Sequence, residues 1–501
     1  MNSVRLAGAV LCGVLYCLAF APFNYWPLGL LSTCGFFYLL IDSSRPVLVA
    51  WLFGVGKYGL GASWVYVSIN VYGQAPPPLA FSLVALFVFG MALFCLPMGW
   101  VVAKVKDRFS AAESCDIWVL GSAAITWVLM DWLLTWFLTG FPWLFMGFAY
   151  PDHFLGSIAA VIGVLGLTAL LVAGCCAIVL MVRRRRLIWQ ALGIVTLPWM
   201  LGVILLPIQW TSVESSKSVA LVQGNLDQNL KWHRDQQIPN WNTHVGLTRD
   251  YWSADLIVWP EAAVTMFAQQ AQSLLDGLDN QAKTTDTAMV IGIPGADVYP
   301  DGRYDFKNLG LGLGTAQGQF AKHHLVPFGD YVPLQDLLRG LIQFFDLPMS
   351  NATAGLYHQP NIDLGFTKTA LAICYEIAYG ESMRVRAQDA GLLMTISNDT
   401  WFGRSIGPHQ HMQIAQMRAR ENGRWLVRAT NNGVTGVVNP RGEITQSLAQ
   451  FVPATLYGQV QVMRGRTPYS RMGDWPLLAV IFGGIVVIGL RYRKQASSQT
   501  V

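Results

Sequence analysis

The stretch Leu371-Ala372-Ile373-Cys374-Tyr375-Glu376-Ile377 (LAICYEI) ends an apolar, strand-like run on a thiol, with a carboxylate two residues further on. Cys374 is one of eight cysteines but the only one after Gln209, so its region offers no partner for a disulfide. In an oxidising extracytoplasmic space cysteines normally pair. A solitary one reads as an inert buried thiol or as a nucleophile. Similar β-rich runs surround it: VALVQG (219–224), LIVWP (256–260), MVIGIPG (289–295) and LLMTIS (392–397). Helix-compatible stretches at 231–250, 265–282 and 409–423 lie between them. Strands alternating with helices across 210–474 predict an α/β domain with buried sheets. Late in that domain, RWLVRATNNGVTGVVNPRGEI carries two strand-like runs joined through Asn431-Asn432-Gly433, a hairpin-type turn.

The remainder of the chain has a different texture. Of 501 residues 53% are hydrophobic and only 13% charged, well below the quarter expected of a soluble protein. Residues 1–209 hold ten Lys/Arg against six Asp/Glu, 210–474 hold 21 against 23, and 475–501 hold three against none. The net charge of +5 therefore comes from the apolar parts, not from the polar domain. No basic face belongs to that domain, which argues against a nucleic-acid partner.

Apolar runs near 6–22, 26–42, 47–69, 79–103, 116–138, 156–182, 187–207 and 475–490 are expected to form eight transmembrane helices. This divides the chain into a membrane domain with seven spans (1–209), a catalytic-type α/β domain (210–474), and an eighth span with a tail (475–501). The first run also imitates a signal peptide, since Ala19-Phe20-Ala21 resembles a cleavage site. Pro22 and a further apolar run directly after it favour a retained span. If the spans alternate, Arg5, Arg45, Lys104, Lys106, Arg108, Arg183 to Arg186, Arg491, Arg493 and Lys494 share one side. The positive-inside rule makes that side cytoplasmic. Both termini are then inside and the α/β domain is outside. Lys57 and Asp131 lie within spans, where a charge marks a transport pathway or, on the blander reading, a buried pair. The aromatic connection GFPWLFMGFAYPD (140–152) suits a membrane interface and is a candidate floor for a lipid chain.

Three ionisable groups in the α/β domain follow apolar runs. Glu261 comes after Pro260, which cannot continue a central strand; the carboxylate also suits a helix N-terminus. Lys322 lies in GQFAKHHLVPFGDYVPL (318–334), a rigid irregular loop with two prolines. Its neighbours His323 and His324 lack the spacing and companions of a metal site, so no metal is expected. With Cys374, these groups supply a base, a cation and a nucleophile.

WPE around Glu261, the Lys322 loop and CYE around Cys374 resemble the nitrilase superfamily, which implies a Glu–Lys–Cys triad in an αββα sandwich. LVQGN (221–225), HLVPFGDYVPL (324–334), FFDLPMS (344–350), ICYEI (373–377), SNDTWFG (397–403), IGPHQH (406–411) and RATNNGVTG (428–436) extend the likeness over nearly the whole chain. Together with the eight spans they resemble the bacterial apolipoprotein N-acyltransferase family. That resemblance implies a phospholipid acyl donor, a diacylglyceryl-modified apolipoprotein acceptor and an inner-membrane location with the catalytic domain periplasmic. It implies Cys374 as nucleophile, Glu261 as base and Lys322 as oxyanion partner, with a thioester acyl-enzyme. Lys322 would also favour the Cys374 thiolate.

Tyr375 and Glu376 complete the site by the same resemblance. At strand spacing Glu376 shares a face with Cys374 if the strand persists; otherwise it is a surface carboxylate. Trp232 in NLKW matches a family aromatic, Trp401 and Phe402 form a lipid-facing lip or pack under a turn, and Asp330 stands where the family usually has Glu. Asn308 also matches, in altered surroundings. No cofactor is implied, and monomer is the default expectation. Two rivals remain: a membrane-anchored amidase or hydrolase with water as acceptor, and a transporter with an appended binding domain.

Overall fold

The computed structural model describes residues 3–110, 112, 114–299, 304–333 and 351–497, so FFDLPMS (344–350) and Leu334 lie outside the described residues. The chain divides into two compact units. One comprises Met1–Val65, Pro78–Ile208 and Arg471–Val501; the other comprises Tyr66–Pro77 and Gln209–Ser470.

In the first unit, five described helices are long and apolar enough to cross a membrane. They are Pro77–Arg108, Cys115–Leu133, Phe154–Arg183, Arg185–Leu205 and Trp475–Gln495. Three shorter apolar helices, Ser3–Cys17, Trp26–Ile41 and Pro46–Gly61, cover the other expected runs. The run expected at 47–69 stops being a continuous helix at Gly61 and turns at 62–64, and the residues from Tyr66 group with the second unit. Within Pro77–Arg108 a 3₁₀ turn at Leu93–Cys95 precedes Pro97, whose missing N–H and ring disfavour continuous α-helix there. Leu86, Trp189, Val203, Val480 and Leu490 are all more than half exposed. So much outward-facing apolar surface needs an apolar surrounding. Lys57 Nζ lies 3.9 Å from Asp131 Oδ1, both nearly buried, and the rings of Tyr16, Tyr58 and Trp127 surround the ammonium at 5.2–5.6 Å. The buried-pair reading of these two charges is the one observed. The aromatic connection is packed inside this unit: Trp143 meets Trp64, and Phe145 stacks on Phe148.

The second unit is a sandwich of two six-stranded sheets. The strands are β1 (Thr211–Gln223), β2 (Leu256–Val258), β3 (Ala288–Val298), β4 (Tyr304–Gly314), β5 (Gln319–Ala321), β6 (Ile362–Asp363), β7 (Lys368–Ile373), β8 (Leu392–Ser397), β9 (Leu426–Thr430), β10 (Gly436–Val438), β11 (Ile444–Ser447) and β12 (Ala454–Gly465). One sheet runs β12-β1-β2-β3-β4-β5 and the other β11-β10-β9-β8-β7-β6. Alternation of side chains explains how each strand serves two layers. Val219, Leu221 and Val258 from the first sheet meet Leu371, Ile373, Met394 and Val427 from the second between the sheets. Ala220, Val222 and Ile257 turn the other way and pack with Trp241, Leu275 and Leu278 of the outer helices Gln237–Thr248 and Gln272–Thr284. Helices Gly380–Ala387 and Gly407–Asn422 accompany the second sheet, giving αββα order. Asn431-Asn432-Gly433 lies between antiparallel β9 and β10, as the hairpin reading expects. β12 alternates buried Leu456, Gly458, Val460 and Val462 with outward Tyr457 and Gln459, a period-two pattern outside the strand-like runs named above.

Candidate active site

β2 ends at Val258, and Pro260 carries the chain off the sheet into a turn that presents Glu261. A Cβ on Gly292 of β3 would lie 2.3 Å from the Pro260 carbonyl oxygen and 2.7 Å from the Glu261 Cα, so only glycine lets the strand approach this turn. The Glu261 carboxylate is buried and fully engaged. Oε1 accepts from Asn308 Nδ2 at 2.7 Å and lies 3.5 Å from Lys322 Nζ, while Oε2 accepts from the Asn398 N–H at 2.8 Å.

Lys322 follows β5 directly, and its N–H donates to the Asn308 carbonyl at 2.8 Å. Asn308 thus ties the main chain of Lys322 to the side chain of Glu261. Nζ of Lys322 pairs with Asp330 Oδ2 at 2.7 Å. The same Oδ2 accepts from the Val326 N–H at 2.7 Å, which closes the loop on itself. Burial works against the ammonium, but Asp330 and Glu261 raise it above the ordinary lysine range, so it is charged.

Cys374 begins the 3₁₀ turn Cys374–Ala378 at the end of β7, with φ of 56°. A left-handed non-glycine residue costs about 1–3 kcal/mol and persists only where its surroundings hold it. Here the contacts are visible: the neighbouring Ile373 N–H donates to Glu376 Oε2 at 2.9 Å, and the Cys374 carbonyl lies 3.1 Å from His411 Nε2. Burial pushes the thiol up and Glu261 adds to this; Lys322 pulls the other way without reversing it. The resting group is therefore a thiol rather than the thiolate expected beside a lysine. The Ser397 hydroxyl reaches the thiol, but its proton is committed to Asp399 Oδ1 at 2.7 Å. Nucleophilic attack then requires a base to take the thiol proton, and Glu261 is the acid group acting on it most strongly.

Glu376 does not lie on a strand face beside the sulfur, because β7 stops at Ile373. Nor is it a surface group: it is fully buried, and Oε1 accepts from the His323 N–H at 2.9 Å and the His324 N–H at 3.2 Å. Its carboxylate joins the loop of Lys322 to the turn of Cys374. His323 Nδ1 faces the Gly355 carbonyl and His324 stacks on Tyr379, which also packs against Tyr375. Among the described residues no group of three His, Cys, Asp or Glu side chains is placed to hold a metal.

Trp232 is half-buried and covers the ammonium of Lys231 at 5.8 Å. Lys231 is itself buried and donates to the Glu261 carbonyl at 3.4 Å; burial pulls it down to about 8. The NLKW motif drew attention to the aromatic residue and passed over this second cation beside Glu261. Trp401 and Phe402 belong to the short turn Asp399–Phe402. Trp401 packs edge-on against Tyr72 and its carbonyl accepts from Ser68, both in the segment grouped with this unit. Asn398, whose amide nitrogen holds Glu261, lies in the quoted SNDTWFG motif; main-chain roles of this kind leave no mark in residue type.

Comparisons with known proteins bear on both units. The Carbon-nitrogen hydrolase family model matches residues 218–469, and the model of the Apolipoprotein N-acyltransferase N-terminal domain matches residues 12–178. The apolipoprotein N-acyltransferase of Pseudomonas syringae pv. tomato is 42% identical over 487 residues, covering 94% of each chain. That of Azotobacter vinelandii is 40% identical over 503 residues, covering 98% of this chain and 96% of the other. Among solved structures, the C. elegans NitFhit protein is similar at 15% identity with a TM-score of 0.40, covering 54% of this chain and 65% of that one.

Proposed function

This chain belongs to the apolipoprotein N-acyltransferase family, and on that premise we propose that it moves an acyl chain from a membrane phospholipid to the N-terminal amine of a diacylglyceryl-cysteine apolipoprotein. The observation that carries the mechanism is the buried meeting of Glu261, Lys322 and Cys374 from three strand ends.

In the first half-reaction Cys374 Sγ attacks the ester carbonyl of the phospholipid while Glu261 takes the thiol proton. Lys322 stabilises the negative oxygen that develops, worth most where water is excluded. Collapse breaks the ester C–O bond; the lysophospholipid alkoxide leaves with the proton from Glu261, and the acyl group remains on sulfur as a thioester. In the second half-reaction the acceptor amine attacks that thioester and Glu261 takes its proton. The C–S bond breaks, the thiolate recovers the proton, and an amide is released. Asp330, Glu376 and Asn308 position these groups, with Tyr375, Trp232, Trp401 and Phe402 around them.

Both substrates are membrane-held, and extracting an acyl chain into water costs about 0.8 kcal/mol for each CH₂. Eight spans, both termini cytoplasmic and the catalytic domain periplasmic would keep that chain in an apolar environment. The Lys/Arg asymmetry of the connecting segments supports this arrangement.

The test is to incubate purified enzyme with phospholipid and measure intact mass. An added acyl mass, released by neutral hydroxylamine and absent in Cys374→Ala, is expected. Undiminished acyl transfer by Cys374→Ala or Cys374→Ser would rule out the thiol mechanism. A diacylated lipopeptide should then gain an amide-linked chain; discharge by water alone would favour the hydrolase reading.

A further inference from the structure

Behind the nucleophile lies a buried polar chain that the mechanism above does not use. His411, on the helix Gly407–Asn422, directs Nε2 at the Cys374 carbonyl at 3.1 Å. Its Nδ1 lies 2.9 Å from both Asp399 Oδ1 and Arg428 Nη2, and Arg428 Nη2 pairs with Asp399 Oδ2 at 2.7 Å. All three residues are at most 1% exposed. Three elements thus converge on one imidazole: the helix, the turn after β8, and β9.

The direction of the hydrogen bond follows from chemistry. A peptide carbonyl only accepts, so an attractive contact requires the hydrogen on Nε2. Burial and Arg428 hold the imidazole below its ordinary range, so the ring is neutral; Nδ1 then accepts from Arg428. Arg428, donating to Nδ1, selects the Nε2–H tautomer, and Asp399 holds that guanidinium in place through Oδ2.

The Cys374–Tyr375 peptide is planar and trans, so its N–H points opposite to its C=O. Fixing the Cys374 carbonyl toward His411 therefore turns the Tyr375 N–H away from His411. Cys374 sits at φ of 56°, a conformation that relaxes unless it is held. We infer that His411 is a positioning residue: by donating to the Cys374 carbonyl it locks this peptide so that the Tyr375 N–H faces the acyl oxygen during both half-reactions. The inference rests on the acyl-transfer reading above.

The experiment compares His411→Gln with His411→Asn. Gln carries its amide nitrogen out to the Nε2 position; Asn reaches only the Nδ1 position and leaves the carbonyl without a donor. Two rates are measured on each: acyl-enzyme formation with a fluorescent phospholipid in detergent micelles, and alkylation of Cys374 by iodoacetamide. Alkylation needs the thiol and its base but develops no oxyanion. His411→Asn is expected to lose about 10²-fold in acylation while alkylating at the wild-type rate, and His411→Gln to recover most of the acylation. Equal acylation in the two variants, or parallel loss of both rates, overturns the inference. Should neither variant fold, Arg428→Lys shifts the imidazole without removing it and must show the same split, parallel loss again overturning it. A wild-type enzyme that alkylates but forms no acyl-enzyme overturns the acyl-transfer reading itself, and this inference with it.

Discussion

Lys322 stands between Asp330 at 2.7 Å and Glu261 at 3.5 Å with 2% exposure, so its charge depends on both carboxylates. Removing one partner of a buried pair leaves a cation short of compensation, typically at 3–5 kcal/mol when no other partner remains. Asp330→Asn is therefore expected to lower single-turnover acyl-enzyme formation by roughly one to two orders of magnitude. Asp330→Glu, with the residue more usual here in the family, should keep most of it. Wild-type acylation in Asp330→Asn would remove Asp330 from the site. At this scale the chemistry-bearing residue types were legible in the sequence, while their partners were not. The neighbours of Asn308 differ from the family pattern. The fold nevertheless bonds its side chain to Glu261 and its carbonyl to Lys322.

Glu376 shows what changes at the level of elements. Its distance from Cys374 was reasoned from the two-residue repeat of a strand, which holds only while the strand continues. β7 ends at Ile373, so Glu376 turns to collect three main-chain N–H groups from two segments. A carboxylate suits three donors; an amide offers one acceptor atom and sets its own N–H groups against theirs. Glu376→Gln is expected to cost about 1–3 kcal/mol for the N–H groups left unmet, seen as a lower thermal midpoint with slower acyl-enzyme formation. An unchanged midpoint would refute the linking role. Gly433 in the β9–β10 connection was read as a turn residue. A Cβ there would also lie 2.5 Å from Asp399 Oδ2, a constraint set by a turn 34 positions earlier.

Across the whole catalytic unit, burial sets the response to acid. His244 is pushed down to about 4, chiefly by burial, and His324 to about 3 by burial and His323. Both have folded values below the ordinary 6.5. As pH falls below that value the unfolded chain binds protons that the folded one refuses, so stability declines from about pH 6.5 downward. The thermal midpoint of the detergent-solubilised protein should fall between pH 7 and 5, above the range where carboxylates titrate, and His244→Gln should flatten that fall. A midpoint constant over this interval would contradict the assignment. The same burial holds Cys374 as a thiol, which is why catalysis on this reading depends on Glu261 rather than on a preformed thiolate.

Apolar run length, the one-sided placement of Lys and Arg and the strand–helix alternation after Ser218 were all readable in the sequence. Each depends on local composition or on periodicity along the chain, and this determined the α/β domain, the membrane-type remainder and the three ionisable residues at strand ends. Tertiary structure decided what those residues touch. Glu261 receives bonds from positions 308 and 398, Cys374 is held from position 411, and Lys322 reaches Glu376 only through neighbouring main-chain N–H groups. Partners so distant along the chain are chosen by the stacking of two sheets and their loops, and burial there sets which groups carry charge.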